Sequence, residues 1–135
     1  MYLTGTMYCI VYVYVYSFAI NKPVMDIENT KQQMRKGILE FCILTVISQS
    51  SECYATDILE TLKNGRLLVV EGTLYPLLTR LKNDGLLNYR WEESKSGPPR
   101  KYYQLTPLGE RFLDELKNTW NELESSVSNI INKNK

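Results

Sequence analysis

The chain has 135 residues, 44% hydrophobic, 11% aromatic and 23% charged, and carries a formal net charge of +1 from 16 Lys+Arg against 15 Asp+Glu. That length supports one domain, two at most, around a small core, and the charged fraction is that of a globular chain rather than a disordered or fibrous one. Histidine is absent, which excludes Ser-His-Asp and Cys-His nucleophile systems, His-ligated metals and Cys₂His₂ fingers. Cys9, Cys42 and Cys53 are odd in number and lack C-x-x-C spacing, so neither a disulfide framework nor a Cys₄ zinc site fits one chain. Cys42 and Cys53 sit among apolar residues and read as small core fillers in a reducing cytoplasm. There is no P-loop and no carboxylate pair on one face; adjacent Glu92 and Glu93 point to opposite sides of a strand. No enzyme activity, metal or cofactor is expected.

Residues 1–24 differ from the rest. They hold a single charge, Lys22, and an alternation of tyrosine and valine, Tyr12-Val13-Tyr14-Val15-Tyr16. The apolar run from Met7 to Ile20, 14 residues, is short for a membrane span and lacks the flanks of a secretory signal. A strand pairing with another chain, a weak membrane-contacting segment and an extension upstream of the natural start all fit. The third is preferred, because Met25 opens a stretch of ordinary soluble character; no stable membrane association is expected.

From Met25 onward the elements follow in order. A first helix is signalled by Asn29 or Thr30 as cap, with Ile38, Phe41, Cys42 and Val46 as its apolar side, ending at Ser48-Gln49-Ser50-Ser51. A second helix, about Tyr54 to Lys63, turns Ile58, Leu59 and Leu62 inward and stops at Asn64-Gly65. In the third, Leu74, Leu77, Leu78 and Leu81 fall at helical spacing and form one stripe. Pro76 is harmless in a first turn, which places the start at Glu71 to Thr73, and Asp84-Gly85 supplies the stop. Leu87, Tyr89 and Trp91 then alternate with polar residues, as do Tyr103 and Leu105, giving two strands joined by the stiff loop SKSGPPR. Trp91 reads as a strand residue packed under that hairpin. Thr106-Pro107 opens a last helix as cap and first residue. Along it Leu116, Trp120, Leu123, Val127 and Ile130 form a short heptad seam that needs a partner.

The fold class is mainly α with a small β-hairpin: a winged helix-turn-helix over residues 25–105 and a long C-terminal dimerisation helix over 106–135. Such a unit presents one helix to the DNA major groove. The outer face of the third helix offers Thr73, Tyr75, Thr79, Arg80, Lys82 and Asn83, and the hairpin loop adds Lys95, Ser96, Arg100 and Lys101. These side chains can donate to phosphates or base edges. Residues 31–101 hold 11 Lys+Arg against 8 Asp+Glu, and residues 102–135 hold 4 against 5, so the positive excess is local and modest. A solvated helix face beside a plain turn, and a winged helix that binds proteins rather than DNA, stay open on pattern alone.

Glu71-Gly72-Thr73-Leu74-Tyr75-Pro76, with Arg80-Leu81 and Asp84-Gly85-Leu86-Leu87, resembles the recognition helix of PadR-type transcriptional regulators. Ser96-Gly97-Pro98-Pro99-Arg100-Lys101-Tyr102-Tyr103-Gln104-Leu105-Thr106, with Gly109 beyond, resembles their wing and last strand. Lys36-Gly37-Ile38-Leu39-Glu40 and Tyr54-Ala55-Thr56-Asp57-Ile58 resemble their first two helices, so the resemblance runs from about residue 35 to 120. It implies a cytoplasmic homodimeric repressor of the smaller subfamily, binding an inverted repeat in double-stranded DNA and released by a small molecule. It also implies DNA contacts at Tyr54, Thr73, Tyr75, Pro76, Arg80, Gly97, Arg100, Lys101 and Tyr102. Ala55 stands where the family usually has glycine and Val70 where a polar residue usually precedes the glutamate, which weakens capping of the third helix.

Leu116, Trp120, Leu123, Glu124 and Val127 are the candidate dimer and effector residues. Trp120 is similar to a last-helix tryptophan on which multidrug-sensing members stack ligands, and Glu124, one turn on, to an acidic residue favouring cations. A small aromatic or cationic effector is implied. Trp120 as a plain dimer anchor is the simpler reading.

Overall fold

A computed structural model describes residues 27–133, and the reading of residues 1–24 falls outside them. The described elements are α1 (Ile27–Gln49), β1 (Cys53–Tyr54), α2 (Ala55–Asn64), α3 (Glu71–Asn83), β2 (Leu87–Glu92), β3 (Arg100–Leu105) and α4 (Pro107–Asn132). The described residues from Arg35 onward form one compact unit.

The core is a single apolar cluster. Ile43, Leu44 and Ile47 of α1, Ile58 of α2, Leu74, Leu78 and Leu81 of α3 and Leu87 of β2 are all fully buried. Burying each such side chain contributes roughly 1.5–3 kcal/mol relative to exposure. No polar side chain is buried there, so packing alone sets the mutual position of these helices. Burial pushes the Cys53 thiol up to about 11, with the Asp57 carboxylate adding to it, and raises that of Cys42 as well. Both thiols stay protonated and inert, as core fillers should.

Four local expectations change. In α1 the buried stripe is Leu39, Ile43, Leu44, Val46 and Ile47, whereas Ile38, Phe41 and Cys42 lie at its half-buried margin. The helix is already formed at Ile27, so Asn29 and Thr30 lie within it rather than capping it. Pro76 sits in the second turn of α3, not the first. It therefore has no N–H to give the Gly72 carbonyl, one helical hydrogen bond fewer at the helix's outer side. Leu77 is only half buried, at the edge of the stripe formed by Leu74, Leu78 and Leu81.

The stop of α2 falls at Asn64-Gly65 as expected, but the left-handed residue is the one after it. Gly65 keeps an ordinary backbone (φ −76°) and Arg66 takes the left-handed conformation (φ 63°). The Arg66 N–H reaches the Lys63 carbonyl at 2.9 Å and the Leu67 N–H the Leu62 carbonyl at 2.8 Å, a Schellman closure on a non-glycine residue. At the end of α3 the same closure uses Gly85 (φ 79°). Its N–H bonds the Lys82 carbonyl, and that of Leu86 bonds the Leu81 carbonyl, both at 3.0 Å.

The sheet has three strands in the order β1-β3-β2, all antiparallel. The two-residue β1 is too short to show alternation in the sequence and exists because Cys53 and Tyr54 pair with Tyr103 and Tyr102. The hairpin registers Leu87 on Leu105 and Glu92 on Arg100.

Strand β3 runs into α4 through a tight junction. The Thr106 hydroxyl accepts from the Gly109 N–H at 3.0 Å as the helix cap and donates to the Gly85 carbonyl at 2.6 Å. The Thr106 N–H donates to the Leu86 carbonyl at 3.0 Å. A Cβ on Gly109 would lie 2.1 Å from the Leu86 carbonyl oxygen, so only glycine lets α4 approach this closely. Gly109→Ala is expected to lower stability by about 3 kcal/mol or to prevent folding, read as a fall in thermal midpoint. Arg66→Gly is expected to raise stability by roughly 0.5–1 kcal/mol by relieving left-handed strain, read as a small rise in the same midpoint.

Candidate nucleic-acid interface

At about 3.6 residues per turn, the buried Leu74, Leu78 and Leu81 leave Gly72, Pro76, Thr79 and Asn83 facing outward from α3. All four are exposed. Tyr75 and Lys82 lean to one flank; Thr73, Leu77 and Arg80 lean to the other. The residues expected to touch DNA therefore fall on two sides of one helix rather than on a single stripe.

The first flank faces the hairpin. A groove of about 460 Å³ runs between α3, the start of α2 and the wing, lined among others by Tyr54, Tyr75, Thr79, Trp91, Arg100 and Lys101. The second flank faces α1. There Thr73, Pro76 and Arg80 meet Lys36 and Glu40 across a shallower depression. Glu40 accepts from an Arg80 Nη at 2.8 Å, leaving the other guanidinium donors of Arg80 unoccupied.

Register divides the wing residues in the same way, because successive side chains on a strand alternate faces. On one face Tyr54 and Tyr102 are paired across β1 and β3, their rings 3.7 Å apart between centroids and their hydroxyls hydrogen-bonded. The Arg100 guanidinium lies 5.2 Å from the Tyr54 ring centre and that of Arg90 4.6 Å from Tyr102. On the other face Lys101 pairs with Trp91, and its ammonium sits 4.4 Å from the Tyr89 ring centre and 5.0 Å from that of Trp91. Trp91 is 59% exposed, so it does not pack beneath the hairpin: on a two-stranded wing this far from the core, no apolar layer covers it. Gly97, at the loop tip, is exposed, and a Cβ there would meet only the Ser94 Oγ, at 3.8 Å.

The cations differ in their company. Arg90 is held by Glu52 through two nitrogens, at 2.7 and 2.9 Å, and by Glu92 at 3.2 Å, so its charge is cancelled locally. Arg100 and Lys101 form no salt bridge among the described residues. With Lys95 in the loop, which likewise forms none among the described residues, they are the wing charges available to a polyanion.

On α4, Leu116 packs against the core and Trp120 stacks on Phe41 of α1, ring centres 6.4 Å apart. The start of the seam thus has partners within the chain. Beyond it Leu123, Val127 and Ile130 are 55%, 52% and 71% exposed, and Glu124 is exposed beside them. No described helix is long and apolar enough to cross a membrane, and no described cluster could hold a metal ion.

The hydrogen bond from Arg90 lowers the Glu52 carboxyl below its ordinary range. A depressed folded-state value contributes stability above the unfolded carboxylate range and loses it as pH falls through the folded value. Glu52→Gln is accordingly expected to lower the thermal midpoint at pH 7, with the difference from the unaltered chain shrinking as pH drops below about 4. A midpoint difference independent of pH rules out this charge effect.

Comparison with known proteins agrees with this architecture. The family model described as "Transcriptional regulator PadR-like family" matches residues 43–115. A PadR-like transcription factor from Bacteroides fragilis is 60% identical, with a TM-score of 0.64 over 76% of this chain and 98% of that one. A PadR-like regulator from Bacillus cereus is 40% identical, with a TM-score of 0.65 over 74% and 97% of the two chains. A PadR-family regulator from Eggerthella lenta is 29% identical, with a TM-score of 0.71 over 78% and 92%. With the three-helix unit, the hairpin and the long last helix all in place, this chain belongs to the PadR-like family of transcriptional regulators and is a DNA-binding regulator built on a winged helix.

Proposed function

We propose that the chain acts as a homodimeric repressor in the cytoplasm, gripping an inverted-repeat operator and released by a small aromatic or cationic effector. The observation that carries the reading is the placement of two wing cations without carboxylate partners, Arg100 and Lys101, beside the exposed polar side of α3. A protein-binding winged helix would have apolar residues in those places.

Roles follow from chemistry. Arg100, Lys101 and the backbone at Gly97 supply phosphate affinity, and the Tyr54 hydroxyl, which accepts from Tyr102, keeps its own O–H as a neutral donor beside them. Thr73, Tyr75 and Pro76 set register in the major groove. Arg80 reads a base edge with its remaining donors while Glu40 holds the guanidinium from behind. The bare apolar edge Leu123, Val127 and Ile130 is covered by the same edge of a second copy, since a twofold axis closes a short seam most economically. That pairing sets the two α3 helices about 34 Å apart, one turn of duplex. An effector stacked on Trp120, with Glu124 nearby for a positive group, acts only if it favours one dimer arrangement over the other.

The test is a mobility-shift titration with the duplex lying upstream of the chain's own gene, with and without excess nonspecific DNA. Saturable binding that survives the competitor is expected. Lys101→Ala is expected to weaken all duplexes alike and to reduce the slope of log affinity on log salt by about one. Unchanged affinity in that variant removes Lys101 from the interface, and absence of any shift removes the DNA-binding role assigned to it.

A further inference from the structure

Trp91 has no explanation in the core or in the residues assigned above. It is a large aromatic side chain, 59% open to solvent, on a soluble chain where such exposure is uncommon and points to contact with something else. It is also held still. Its ring meets Tyr89 edge-on at 6.0 Å between centroids, and it is register-paired with Lys101, whose ammonium lies 5.0 Å from its centre.

We propose that Trp91 is a further DNA-contacting residue, and that the groove between α3 and the wing takes one sugar–phosphate strand with the indole as part of its wall. The proposal rests on the DNA-binding reading given above and adds a site to it.

Three observations carry it. The groove, about 460 Å³, is lined by Lys101 and Arg100 and by no carboxylate. The depression on the opposite flank of α3 contains Glu40, whose charge repels a phosphate. Of the two sides of α3, the wing side thus carries cations that no carboxylate offsets, whereas on the other side Glu40 offsets part of the charge of Arg80 and Lys36. The third observation is chemical. The indole N–H is a donor with no acceptor function, and it makes no hydrogen bond among the described residues. Phosphate oxygens only accept, so the groups match, while the ring face packs against deoxyribose. Tyr75 and Thr79 on the facing wall add hydroxyls, and Lys101 places its charge beside the ring.

The chain has two tryptophans, which makes the test direct. In Trp120→Phe the remaining emission comes from Trp91. Adding a short mixed-sequence duplex at low ionic strength is expected to quench or shift it, and added salt to reverse the change. Trp91→Ala is expected to lose about ten- to a hundredfold in affinity, the scale of one hydrogen bond to a charged group, with an unchanged salt slope because no charge is removed. Trp91→Phe, which keeps a ring without the donor, is expected to fall between. Thermal melts of each variant separate lost contact from lost folding. If the unaltered protein binds the duplex while Trp91 emission and Trp91→Ala affinity stay unchanged, the groove assignment alone is overturned. If the unaltered protein ignores the duplex, the DNA-binding reading and this proposal are both overturned.

Discussion

The close approach of Gly109 to the Leu86 carbonyl is the constraint on which the other elements depend. Leu86 ends the Schellman turn of α3 and leads directly into β2, so one backbone segment is tied at once to the exposed helix, the wing and α4. Thr106 completes the tie by capping α4 and bonding back to Gly85 and Leu86. Because these bonds are short and include backbone groups, a shift of α4 cannot leave α3 and the hairpin undisturbed. A dimer built on α4 would transmit its geometry to the duplex through this junction rather than through the apolar core.

Electrostatics sorts the surface more finely than net charge does. A chain of formal charge +1 has no global field to steer it to DNA. What it has is selective pairing: carboxylates occupy Arg80 and Arg90, whereas Arg100 and Lys101 rest on aromatic rings. A ring holds a cation in place without cancelling its charge, while a carboxylate holds and cancels it. The wing thus keeps its free charge at the tip and near the groove and spends Arg90 on stapling the sheet, from Glu52 before β1 to β2 across β3.

The two tryptophans divide along the same line. Trp120 has an aromatic partner within the chain and lies where the core gives way to the bare end of α4, so its surroundings change with whatever covers that end. Trp91 lies exposed on the same face of the wing as Lys101, beside that cation and an open groove. Similar side chains thereby serve different surfaces, and only their neighbours distinguish them.

Much of this architecture was legible in the residues. The leucine spacing of α3, the alternation in both hairpin strands and Thr106-Pro107 are local signals, and local signals survive because hydrogen bonding within a helix or hairpin involves near neighbours. The order of elements and the winged-helix class followed from them, as did the polar side of α3 and the cationic wing. What the sequence could not settle was anything decided by distant partners. The β1 strand exists only because Tyr103 and Tyr102 lie beside it; the α1 stripe rotates to Leu39 and Ile43 because the other helices choose which side to cover; and Arg66 rather than Gly65 turns left-handed because of how Leu67 must reach the core. Tertiary packing likewise split the site residues between two flanks of α3, bound Arg80 to a glutamate 40 residues away and left Trp91 uncovered. Periodicity records which residues can share a face, whereas the packing of separate elements decides what that face meets.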